Sequence, residues 1–114
     1  MVECIQIGSG EEVMSVLEER LAEKDVQNAA IVSVIGAVDE CCLINMDKDN
    51  VKVDIETEYK EPFELTGTGE VIDGKPHIHC AVSREGDSAL GGHLHWAKVE
   101  SWFVKVYFMR TTPE

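Results

Sequence analysis

The chain has 114 residues, a length that fits one domain and leaves little room for a second. Its 22 acidic residues outweigh 10 lysines and arginines, giving a formal net charge of −12. Binding to a polyanion draws on Lys and Arg neutralising phosphates. No basic run exists here, so direct nucleic-acid binding and docking on an anionic membrane are both disfavoured.

No stretch reaches the ~20 apolar residues a membrane span needs. The start, Met1-Val2-Glu3-Cys4, has neither a basic nor an apolar leader region, so no signal peptide is expected and the expected address is cytoplasmic. There Cys4, Cys41, Cys42 and Cys80 are expected to be reduced, and no C-x-x-C spacing links them; buried free thiols are the plain reading.

In chain order, Val2 to Ile7 reads as a first strand, interrupted by Gly8-Ser9-Gly10. Ser9 followed by Glu12 matches a capping box. Val13, Val16, Leu17 and Leu21 then recur at helical spacing, which predicts a helix from about Gly10 to Lys24. Ala29 to Ile35 is a β-branched run that predicts a strand buried on both faces, ended by Gly36. Val38 to Met46 predicts the next strand, and residues 47–50 a turn. Val51, Val53, Ile55 and Thr57 alternate with charged residues, as in a half-exposed strand. Glu61 to Ile72 carries Gly67 and Gly69, which suggest a bulge or bend. After the turn at residues 73–76 come a strand at 77–82, a polar loop at 84–88 and a long final strand at 99–109. One helix and about seven strands predict an α+β domain with a mostly antiparallel sheet over residues 1–110, followed by a short tail, 111–114.

The chemistry concentrates in four histidines. In His77-Ile78-His79, strand alternation puts both imidazoles on one face and Ile78 with Cys80 on the other. In Gly91-Gly92-His93-Leu94-His95, the glycines allow a sharp turn or a close approach, and His93 and His95 are expected to share a face for the same reason as His77 and His79. Neutral imidazole is a common ligand for zinc and related ions, and three histidines with one open position form a catalytic-type zinc site. The same pattern also fits histidines that only hydrogen-bond within strands or at a subunit interface.

Glu64 and Glu70 lie on a strand that can neighbour the His77 strand. Each is a candidate ligand or general base, against the plainer reading of a solvated strand residue. Asp73 reads as a turn former, Arg84 with Asp87 as loop charge, and Trp96 and Trp102 as core or interface anchors. No phosphate-binding or dinucleotide fingerprint is present, and no Ser or Cys stands in a nucleophile signature.

Four segments resemble the PPC (plants-and-prokaryotes-conserved) domain family: Gly10-Glu11-Glu12 opening a helix; AIVSVIGAV at residues 30–38; Glu61-Pro62-Phe63-Glu64-Leu65 with Gly69-Glu70-Val71; and Pro76-His77-Ile78-His79 followed by Gly91-Gly92-His93-Leu94. The resemblance spans about residues 1–110. It implies a twisted antiparallel sheet and, for stand-alone prokaryotic forms, a homotrimer. Plant members carry an AT-hook ahead of the domain; no such segment is present here. The family's histidines map onto His77, His79 and His93. His95 and Trp96 depart from the usual small residues after GGHL, and His95 is the additional candidate ligand.

Three functions follow as expectations. The first is a trimeric module that binds a divalent metal, zinc above all, through His77, His79 and His93, and a small anionic ligand. The second is a zinc-dependent hydrolase or lyase on a small molecule, with Glu64 or Glu70 as base. The third is a DNA-associated regulator or scaffold that acts through partners.

Overall fold

A computed structural model describes all residues, 1–114. Nine strands and one helix follow in the order β1 (Glu3–Ile7), β2 (Glu11–Glu12), α1 (Val13–Glu23), β3 (Ala29–Val38), β4 (Glu40–Met46), β5 (Asp54–Tyr59), β6 (Phe63–Ile72), β7 (Lys75–Ser83), β8 (Ala89–Val99) and β9 (Val104–Arg110). The strands form one open sheet ordered β1-β9-β3-β6-β7-β8-β4-β5, with β2 added beside β8. Every pairing is antiparallel. The α+β class therefore stands, and no helix is long and apolar enough to cross a membrane.

The helix sits on one face of the sheet. Val13, Leu17 and Leu21 bury fully against inward residues such as Ile5, Ile78, Leu94, Val104 and Phe108. Alternation along each strand supplies that face. In β7, Ile78, Cys80 and Val82 are buried, while His77 and His79 point the other way. The opposite face of the sheet has no layer over it, and the histidines stand there.

The helix begins at Val13, later than capping by Ser9 predicts. Glu11 and Glu12 are drawn into the sheet opposite Val99 and Lys98. Glu12 is the cap instead: its carboxylate accepts from the backbone N–H groups of Met14 and Ser15, both at 2.8 Å, and of Ala97 at 3.0 Å. One side chain thus satisfies the helix start and ties it to β8.

Two strands escape a local reading of the sequence, β2 and β8. The Gly91-Gly92 pair does not break the chain; it lies within an 11-residue strand. Glycine is required at position 92 because a Cβ there would come within 2.6 Å of Asn45 Nδ2 and 2.9 Å of Ile44 O on the next strand. Gly36 likewise does not end its strand; it lies within β3, where a Cβ would collide with the backbone oxygen of Phe103. Both glycines mark close approach rather than a turn.

The continuous final strand predicted over 99–109 is cut in two. Residues 100–103 form a turn, clamped by Asp39, whose carboxylate accepts from the backbone N–H groups of Glu100 at 2.7 Å and Ser101 at 3.1 Å and from Ser101 Oγ at 2.8 Å. Partial burial pushes the Asp39 carboxyl up, but these hydrogen bonds outweigh it and hold the group below its ordinary value. Trp102 is consequently 67% exposed, not a core anchor. Val51 and Val53 lie in the turn before β5, and β5 itself is an exposed edge strand rather than a half-buried one. Arg84, read as loop charge, stacks over Tyr59 and Phe63 with its guanidinium carbon 5.6 and 5.8 Å from the ring centres.

Candidate metal centre

Antiparallel strands place directly opposed residues on one face. His79 lies directly opposite His93 across β7 and β8, and His77 is two residues from His79 on the same face. The three rings gather: the centroids of His77 and His79 are 4.8 Å apart, those of His77 and His93 4.8 Å, and those of His79 and His93 6.0 Å. One nitrogen from each lies within 4.8 Å of the others.

Zinc–nitrogen bonds of ~2.0–2.1 Å in a tetrahedron require ligand nitrogens ~3.3 Å apart. Modest side-chain rotation closes that gap, and the partial exposure of all three residues leaves room for it. The donor set also fits in charge. Burial, then the neighbouring His77, His79 and His95 rings, hold the His93 pKa below its ordinary value, with Asp54 acting in the opposite sense. His93 therefore keeps a lone pair free at neutral pH.

The carboxylate candidates separate. Glu70 lies opposite His77, with its Oε2 3.7 Å from His77 Nδ1. That is longer than a hydrogen bond, and a small side-chain rotation would bring the carboxylate into position to orient a ligating imidazole. Glu64 lies opposite Ser83, four residues along β6 from the Thr68 that faces His79. At ~3.3 Å per residue it stands roughly 13 Å from the triad, beside a different hollow that Trp102 helps to line.

His95 is set apart by a bulge. Trp96 opposes Cys42 and Leu94 opposes Leu43, so His95 is the extra residue between two paired ones. Its Nε2 lies 3.9 Å from Glu56 Oε1, outside the cluster of three. Cys80 faces the core, as alternation predicts, and burial followed by the nearby Cys41 pushes its thiol up to about 12. Its side chain lies on the buried face of β7, opposite to His77 and His79, and outside the cluster of three.

Beside the triad lies a cavity of about 500 Å³, lined by the three histidines together with Ile44, Met46 and Asp54. Asp54 had no signal in the sequence beyond being one polar residue in an alternating strand. Its place follows from the pairing of β5 with β4, which sets Asp54 opposite Met46.

The family model for the Plants and Prokaryotes Conserved (PCC) domain, the same domain abbreviated PPC above, matches residues 2–112. This chain belongs to that family. Among solved structures, the PPC chain is similar to a plant- and prokaryote-conserved protein of Pyrococcus horikoshii, with a TM-score of 0.84 and 20% identity over 100% of this chain and 81% of that one. A candidate DNA-binding protein of Bacteroides thetaiotaomicron matches with a TM-score of 0.84 and 23% identity over 99% and 80%. Both likenesses are of fold alone. A metal-containing protein of Archaeoglobus fulgidus matches with a TM-score of 0.76 and 32% identity over 100% of this chain and 84% of that one. No match was found among curated proteins.

Proposed function

We propose that this PPC domain is a metal-binding module that holds one divalent ion, of the zinc type, on His77, His79 and His93. The observation that carries this reading is the convergence of three imidazoles from two adjacent strands, with one nitrogen of each within 4.8 Å of the others. The description of the Archaeoglobus fulgidus relative as metal-containing supports it. Glu70, 3.7 Å from His77 Nδ1 across the strand pair, closes to a hydrogen bond that orients the ring when the metal is bound. A zinc ion on three neutral imidazoles supplies a Lewis acid with a free fourth position.

Protein prepared without a histidine tag and supplied with zinc is expected to carry about one metal per chain, by elemental analysis. His79→Ala loses it, and Glu70→Gln weakens metal affinity by about 10–100-fold. Retention of full metal by His79→Ala sinks the proposed ligand set.

An enzymatic role, as a zinc-dependent hydrolase or lyase on a small molecule, is the second reading. The open cavity beside the triad favours it, since a purely structural zinc is closed by four protein ligands. Of the two sequence candidates for a base, Glu70 is the one near the triad. A DNA-associated role fits the name of the Bacteroides relative, but the charge of −12 makes it one exercised through a basic partner. The free, buried thiols of Cys41, Cys42 and Cys80 suit a reducing, cytoplasmic location.

The assembly that accompanies this reading is a homotrimer. Val32, Ile35, Trp102, Phe103 and Met109 expose apolar surface on β3, β9 and the turn before β9. Small monomers seldom leave such a patch to water, and copies of the same chain are the partners that family membership suggests. Light scattering is expected to return three times the chain mass, and Ile35→Asp to reduce it to one. A monomeric wild type overturns the trimer.

A further inference from the structure

The cavity beside the triad has a charge pattern that bears on its ligand. Asp54 is its one charged wall residue apart from the histidines, and no Lys or Arg lines it. Row pairing extends the pattern: His79 faces His93, His93 faces Ile44 and Ile44 faces Glu56, so Glu56 shares the outer face next to Asp54. Glu70 stands on the far side of the histidines, beside His77. Ile44 and Met46 supply the apolar wall on the β4 side of the same cavity. The volume lies within the ~300–1,000 Å³ range of small-molecule sites.

We propose that the site, on the reading that the imidazoles hold a divalent metal, takes a small molecule bearing a cationic amine. Asp54 receives the amine, Ile44 and Met46 cover the short apolar middle, and the other end of the ligand reaches the metal. This reverses the expectation of an anionic ligand. A negative tail that reaches past the metal toward β5 meets Asp54, and no Lys or Arg lines the cavity; the ion's own charge acts on the end of the ligand that reaches it, so the choice of tail rests on Asp54.

Two probes share a metal-binding ring and differ in tail charge: histamine, with an ammonium, and imidazole-4-acetate, with a carboxylate. The protein is loaded with cobalt(II), the metal content is measured, and each probe is titrated against the visible absorption of the ion. Histamine is expected to bind on the order of tenfold more tightly. Asp54→Asn keeps its metal and brings the two probes within about twofold, whereas Asp54→Glu keeps the preference. Equal or tighter binding of imidazole-4-acetate by the wild type overturns the proposal. So does an unchanged preference in Asp54→Asn. Absence of bound metal from the wild type is a different failure, read in the first step; it removes the metal reading and this proposal with it.

Discussion

Replacing Phe108 by alanine is expected to remove about 3–5 kcal/mol of stability. Phe108 is fully buried and the bulkiest of the wholly enclosed side chains. It lies on β9, which is hydrogen-bonded on one side to β1 and on the other to β3, so no exposed edge can move inward to fill the space. The loss combines the transfer energy of the ring with the cost of the cavity left behind. A chain of this length has on the order of 10 kcal/mol in total. The midpoint of thermal unfolding should therefore fall by about 15 °C or more, measurable by calorimetry. A drop of only a few degrees would mean that the helix side of the core collapses onto the gap.

Gly69→Ala is the second large effect, and it links the fold to the site. Gly69 lies opposite Ile78 on β7. A Cβ at this position meets His77 O at 2.0 Å and Ile78 Cα at 3.0 Å. Both atoms belong to backbone, so relief requires moving a strand rather than turning a side chain. The expected cost is about 3 kcal/mol, at the upper end of overpacking. The strand that must move carries His77 and His79, so metal affinity should fall along with thermal stability. Gly91→Ala is the comparison, because its Cβ comes only to 3.1 Å of Cys80 O. It should cost clearly less. Equal losses at the two positions would show that backbone crowding does not govern this part of the sheet.

The outward placement of His77 and His79 and the inward placement of Ile78 and Cys80 follow from the two-residue period of a strand, which is a local property. The helical stripe of Val13, Leu17 and Leu21 is local in the same way, and so is the antiparallel α+β class. The start of α1 was misplaced because Glu11 and Glu12 answer to β8, nearly ninety positions later in the chain. Strand β8 was hidden because its glycines respond to Asn45 and Ile44 on a neighbouring strand, which no local pattern reports.

The site divides along the same line. Residue types able to hold a metal, and the shortage of Lys and Arg against Asp and Glu, were already legible in composition and spacing. Which histidines gather was decided by register. His93 joins because it stands opposite His79, and His95 is displaced because a single bulge makes it the unpaired residue. Register also separates Glu70 from Glu64, bringing one beside His77 and sending the other to Ser83. It sets Asp54, from an exposed edge strand, into the wall of the cavity. Alternation assigns a side chain to a face from its immediate neighbours, whereas register depends on turns and bulges summed over the whole sheet. Composition and spacing along the chain thus set the chemistry available and the face that carries it. Which of those groups meet depends on how the strands pair in the folded sheet.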